Sequence, residues 1–321
     1  MKKAIKMGWI GQLLLLSATL IWGSSFIILK ETLDELENFT FLILAIRFLS
    51  AALIFILIFF SKSIIIGKKP EINKKTILNG VFLGVILFIA YGVQTMGLKY
   101  TTSSKNSFLT AVYCIVVPFL AWIILKKRPK INNLIASVIC LAGIGFVALS
   151  GSKGKGDNES LGDMLTLCCG VFYALQIIFN KKFASEDDPI KLLMIEVFTV
   201  GIFCLAVSGI FEIPEHHAEF YLNSQIIFSL VFLSVFATCF AQFAQLFGQK
   251  YTTPTSASII LSLEAVFGVM FSVIIGNEKP TWQMYVGFVV IFVAVLMSEL
   301  GFDIFKKKEK KPKEIQITEN K

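Results

Sequence analysis

Long apolar runs alternate with short polar segments over almost the whole of this 321-residue chain. Ten runs stand out, at roughly 9–29, 39–60, 76–98, 106–125, 131–150, 161–180, 189–211, 224–248, 254–275 and 282–301. A helix needs about 20 predominantly apolar residues to cross the hydrocarbon core of a bilayer. The pattern therefore predicts an all-α integral membrane protein with ten transmembrane helices, which leave no room for a soluble domain. The connections are mostly short, so neighbouring spans are expected to pack as antiparallel hairpins. Gly80-x-x-x-Gly84 and Gly143-x-Gly145 put small residues on helix faces, where helices can approach closely. Pro118, in the middle of the fourth span, lacks a backbone donor and is expected to kink that helix.

The polar punctuation repeats. Gly97-Leu98-Lys99-Tyr100-Thr101-Thr102 returns as Gly248-Gln249-Lys250-Tyr251-Thr252-Thr253, an offset of 151 residues. The same offset relates Gly11 to Gly162, Lys30 to Lys181, Gln94 to Gln245 and Pro129 to Pro280. Internal repeats on this scale are common in secondary transporters, whose substrate sites lie at the repeat interface. Each copy holds five spans, an odd number, so the second copy enters the membrane from the opposite side. The expected organisation is two inverted five-helix repeats, over 9–150 and 161–301. A Gly-rich exterior linker over 151–160 joins them, and a Lys-rich cytoplasmic tail follows over 302–321.

Composition sharpens the membrane reading. The chain is 55% hydrophobic, with a mean hydropathy of +0.75 and only 16% charged residues, against about 25% in soluble domains. A net charge of +8 raises nucleic acid as a partner, but the placement of the charge excludes it from the reading. Basic residues cluster at Lys2, Lys3 and Lys6, at Lys68, Lys69, Lys74 and Lys75, at Lys126, Lys127, Arg128 and Lys130, and in the tail. The opposite side has only Lys30, Lys99, Lys105, Lys153, Lys155 and Lys279. This asymmetry follows the positive-inside rule, and it places both termini in the cytoplasm of a cell (plasma or inner) membrane protein. Lysines beside anionic headgroups make membrane lipid the expected partner of these segments.

Candidate chemistry is sparse. All six cysteines (Cys114, Cys140, Cys168, Cys169, Cys204 and Cys239) fall inside predicted spans and show no metal-site spacing, so they read as small packing residues. The two histidines, His216 and His217, are adjacent in an exterior loop. No HExxH, Walker A or GxSxG motif is present, so neither an enzyme, a cofactor, a metal nor ATP-driven transport is expected.

Ionisable groups inside spans are costly in lipid and usually face a cavity. Three qualify: Arg47 in the second span, Glu196 in the seventh and Glu264 near the midplane of the ninth. Arg47 can bind backbone carbonyls, snorkel, or pair with Glu196. Glu264 reads either as a structural carboxyl or as a proton-exchanging group, which makes protons the candidate coupling ion. Tyr91 and Gln94 share one face of the third span, and their images Gln242 and Gln245 share one face of the eighth. Tyr113 has Glu264 as its image, and Trp22, too deep for an interfacial belt, has Tyr173. Polar residues at equivalent places in inverted copies are expected to face each other and line a polar path. Interhelical hydrogen bonding is the plainer alternative, at about 1 kcal/mol or less each.

Several segments together resemble a known family. Trp22-Gly23-Ser24-Ser25-Phe26 followed by Lys30, Ile46-Arg47-Phe48-Leu49, Gly162-Asp163, Leu263-Glu264-Ala265-Val266 and Gly276-Asn277-Glu278 are similar to the EamA domain of the drug/metabolite transporter superfamily. The resemblance covers about 9–300. Two positions depart from it: Glu264 is followed by Ala265 where the family often has proline, and Lys127 stands where it often has an acidic residue. The resemblance implies a basket of ten helices around a central cavity, with the fifth and tenth spans at its periphery. It also implies transport of amino acids or other small metabolites, commonly outward. The reading is thus a secondary transporter for a small-molecule metabolite, working by alternating access around spans 1, 3, 4, 6, 8 and 9. A membrane sensor or scaffold without transport is the alternative. Oligomeric state is not legible.

Overall fold

The computed structural model describes residues 2–67, 71–126, 128–148, 158–216, 220–275 and 281–300. Most of the predicted linker and the whole 302–321 tail lie outside these residues, as do Lys127, His217 and the Gly276–Glu278 motif. Among the described residues every regular element is helical.

The first half contains α1 (Lys2–Glu35), α2 (Thr40–Ile66), α3 (Lys74–Tyr100), α4 (Ser103–Thr110), α5 (Tyr113–Leu125) and α6 (Ile131–Ala148). The second contains α7 (Glu159–Phe183), α8 (Pro189–Val207), α9 (Ile213–His216), α10 (Ser224–Ser234), α11 (Ala241–Tyr251), α12 (Pro254–Leu261), α13 (Leu263–Ile274) and α14 (Trp282–Leu300). A π-helical turn at Ser208–Glu212 joins α8 to α9, and another at Val235–Phe240 joins α10 to α11.

Taken through these joints, eight helical segments among the described residues are long and apolar enough to cross a membrane. They coincide with eight of the ten runs read from the sequence. The fifth and tenth runs correspond to the shorter apolar stretches Ile131–Phe146 and Trp282–Ser298, in α6 and α14, which pack against each other. Elsewhere α3 packs on α7 and α8, α2 on α8, and α1 on α11 and α13.

Helix ends follow local chemistry. The side chains of Asn73 and Asn223 accept from the amides of Thr76 and Ile226, capping α3 and α10. Asp188, ahead of Pro189, does the same for α8. Such caps satisfy amides that have no partner within the helix. The duplicated Thr-Thr pair has one job in both copies: Thr102 accepts from the Lys105 amide to start α4, and Thr253 from the Ser256 amide to start α12. The amides of Phe41 and Leu42, at the start of α2, are satisfied from a distance, each donating to one carboxylate oxygen of Glu212 at 2.8 and 2.9 Å.

The duplication extends to contacts. Lys30 Nζ donates to the carbonyls of Leu98 and Lys99 at the end of α3, and its image Lys181 donates to that of Lys250 at the end of α11. A favourable cation at a helix C-terminus is thus supplied twice by the same position. Gly97 of α3 lies against Gly162 of α7, while Gly248 of α11 lies against Gly11 of α1. The second contact is the first with each partner moved by 151 residues.

The fourth span breaks at Ala111–Val112, ahead of Pro118, which lies inside α5. The image span breaks at the equivalent place, Ser262, with Val269 where the first copy has Pro118. Proline is therefore not what the two breaks share. Gly143 does sit tightly against Ile291 of α14, as Gly80 and Gly84 do against Ile195 and Thr199 of α8, but Gly145 faces open space.

Candidate functional site

The interior of the bundle holds a narrow, closely lined cavity of about 40 Å³. Its wall comes from α1, α3, α4–α5, α7, α11 and α12–α13, the six spans expected, together with α2 through Arg47. Trp22, Tyr91, Gln94, Tyr113, Tyr173, Gln242, Gln245 and Glu264 all border it. Glu196 does not. It is fully buried behind the wall, where it accepts from Gln176 Nε2 at 3.1 Å.

One side of the site is organised by the π-helical turn at Val235–Phe240. In an α-helix the amide of Ala241 would bond to the carbonyl of Ala237. Here it donates to Phe236 and Thr238 instead. The carbonyl of Ala237 accepts from Trp22 Nε1 at 2.8 Å and from Arg47 Nη2 at 3.2 Å. Arg47 Nε donates to Thr238 Oγ1 at 2.6 Å, and that hydroxyl in turn donates to Leu233 O, five residues back. The guanidinium carbon lies 4.9 Å from the Tyr91 ring centre and 5.5 Å from that of Phe48, within cation–π range. Of the alternatives open for Arg47, carbonyl binding is the one realised. It makes no ion pair with Glu196. A π-turn is not visible in hydrophobic periodicity, so the sequence allows carbonyl binding without saying that Ala237 supplies the carbonyl.

The remaining polar groups are linked in pairs. Tyr173 Oη donates to Gln94 Oε1 at 2.6 Å, and Gln94 Nε2 donates to Thr110 Oγ1 at 2.9 Å. Gln245 and Gln176 face each other amide to amide, the better bond being Gln245 Nε2 to Gln176 Oε1 at 3.2 Å. Two pairs join residues to their own images: Tyr113 Oη donates to Glu264 Oε1 at 2.9 Å, and Gln242 Nε2 to Tyr91 Oη at 3.4 Å, each across 151 positions. The Tyr91 ring also lies edge-on to those of Phe48 and Tyr173.

Ser25, Asn106, Thr110 and Gln176 also border the cavity. Gln176 had a readable signal, since it follows Tyr173 by three residues on one helix face. Asn106 had none: it sits in the first turn of the short, wholly buried helix α4. Its Nδ2 donates to Thr166 Oγ1 at 2.8 Å and to Gln94 O at 3.2 Å, tying α4 to α7 and α3. Two buried acceptors on the wall, Asn106 Oδ1 and Gln242 Oε1, have no hydrogen-bond partner.

Comparison with known proteins bears on what this cavity serves. The model of the EamA-like transporter family matches the chain twice, over residues 9–149 and 160–300. The chain belongs to the EamA-like transporter family. It is thereby a multi-pass membrane protein of the drug/metabolite transporter type. An Archaeoglobus fulgidus protein described as an uncharacterized transporter is 31% identical over 281 residues, 88% of this chain and 83% of that protein. The Bacillus subtilis uncharacterized transporter YoaV is 22% identical over 290 residues, covering 90% of this chain and 96% of that one. Mouse solute carrier family 35 member F5 is 22% identical over 204 residues, 62% of this chain and 38% of that much longer protein. A crystal structure superposes with a TM-score of 0.74 at 13% identity, covering 93% of this EamA-like chain and 98% of its own. That likeness concerns the fold alone.

Proposed function

We propose that this EamA-like protein is a secondary transporter that exports a small metabolite, an amino acid or related compound, across the cytoplasmic membrane by alternating access. In this reading the two family matches are inverted five-helix repeats, both termini are cytoplasmic, and the cavity is the binding site. The observation that carries the reading is that Tyr113 bonds to Glu264 and Gln242 to Tyr91, each residue meeting its own repeat image. Residues related by a two-fold axis touch one another only beside that axis, so the axis of such repeats would run through the cavity. Repeat interfaces at the midplane are where secondary transporters hold their cargo. The reciprocal glycine contacts and the paired lysine caps support the same relation.

Glu264 is the proposed proton-exchanging group. Its carboxyl borders the cavity and is held by a neutral phenol instead of a cation. Reconstitution into proteoliposomes tests the reading. Export loads predict vectorial, saturable flux of labelled amino acids from a preloaded lumen. Ligand binding without flux would favour a sensor or scaffold.

A further inference from the structure

Arg47 brings a positive charge to the cavity wall while only 1% of the residue is exposed. A buried charge is costly unless it is paired and hydrogen-bonded. The hydrogen bonds are present, but both go to neutral oxygens, Thr238 Oγ1 and Ala237 O. Among the described residues no carboxylate forms an ion pair with it. The one buried acid proposed from sequence as its partner, Glu196, bonds to Gln176. The Tyr91 and Phe48 rings add attraction without adding a counter-charge.

The arrangement holds the guanidinium by one edge and fixes its plane against two rings. A planar fork fixed in this way suits a planar anion, because a carboxylate can take parallel hydrogen bonds from it. Among the described residues that line the cavity Arg47 is the one cation, so a single anionic group is matched in charge while a second on the same molecule would find no cationic partner. The unpartnered acceptors Gln242 Oε1 and Asn106 Oδ1 are placed to receive N–H or O–H groups of the same molecule.

We infer that Arg47 is the docking group for a single carboxylate on the transported molecule. The inference rests on the proposed transport function, because it takes the cavity to be the cargo site. It makes Arg47 a specificity-determining residue that admits acids and rejects their amides.

The test is a thermal-shift comparison of the purified full chain with acid and amide pairs: leucine and leucinamide, phenylalanine and phenylalaninamide, benzoate and benzamide. Phenyl phosphate serves as the doubly charged arm. At least one acid is expected to raise the melting temperature, and its amide to bind about ten- to a hundredfold more weakly, as for loss of a hydrogen bond to a charged group. Phenyl phosphate is expected to bind more weakly than benzoate. R47K should bind the acid less tightly yet keep the preference over the amide, and R47Q should abolish the preference. Equal binding of acids and amides, preference surviving in R47Q, or no shift with any acid would each overturn the inference. Flux of amides as fast as acids would overturn it while leaving transport standing. Acid binding through Arg47 without flux would do the reverse.

Discussion

Gly97 and Gly162 meet backbone to backbone: a Cβ on either would lie 2.8–2.9 Å from the carbonyl oxygen of the other. Nothing larger than hydrogen fits between α3 and α7 there. A Gly97→Ala substitution would also face Thr166 Oγ1 at 2.5 Å, so the helices must move apart. The expected cost is about 1–3 kcal/mol, as for other overpacked contacts, read as a lower melting temperature in detergent. Gly145→Ala provides the contrast. With open space around that position, the change is expected to be neutral or stabilising by about 0.5–1 kcal/mol through helix propensity.

Lys105 ties one end of the bundle together with an ion pair to Glu159 at 2.5 Å and a longer one to Asp163 at 3.4 Å. Thr101 adds a bond to Asp163 at 2.8 Å. The image positions Ser256, Gly8 and Gln12 carry no charge, so the other end lacks this ionic clasp. Lys105→Met is expected to cost about 1–2 kcal/mol, moderated because both carboxylates are partly solvated. Ser256→Ala is expected to leave melting unchanged.

Glu264→Gln keeps an oxygen to accept from Tyr113 while removing the ionisable group. The variant is expected to fold, with a melting temperature close to that of the parent, and to lose any dependence of flux on a pH gradient. Tyr113→Phe removes the bond and keeps the carboxyl, so it is expected to retain that dependence. Transport by Glu264→Gln that still follows the pH gradient would make the residue structural.

Gln94 and Gln245 are both buried in this state, at 7% and 3% exposure. In an alternating-access cycle, cysteines at the two positions should be labelled in opposite conformations. A transported molecule should therefore change the two labelling rates in opposite senses, since it shifts an equilibrium only by preferring one state. Parallel changes would point to a channel-like opening, and no labelling under any condition to a packing role.

The helices and the repeat were legible because both leave periodic traces: apolar runs, Thr caps and small residues where helices touch. Gln94, Tyr113 and Glu264 were legible because polarity inside a span is conspicuous. What escaped depends on backbone geometry. Arg47 finds its acceptor only because the turn at Val235–Phe240 is π-helical, and no residue type announces that. The breaks at Ala111 and Ser262 are another case, since the second copy breaks without a proline in that span's middle. Asn106 and Thr166 are ordinary in sequence and meet only when α4 folds back against α7.

The two self-image pairs have a consequence for any motion that exchanges the conformations of the repeats. On the proposed inverted-repeat relation such an exchange trades the Gly97–Gly162 contact for Gly248–Gly11, and both are equally close in this state, with a Cβ on any of the four lying 2.8–3.0 Å from the facing carbonyl oxygen. The Tyr113–Glu264 distance maps onto itself, as does Tyr91–Gln242, because swapping the partners returns the same pair. In the proposed alternating-access cycle the two end states would therefore share these two distances, and whatever distinguishes an outward-open from an inward-open cavity would have to come from contacts that do not join a residue to its own image.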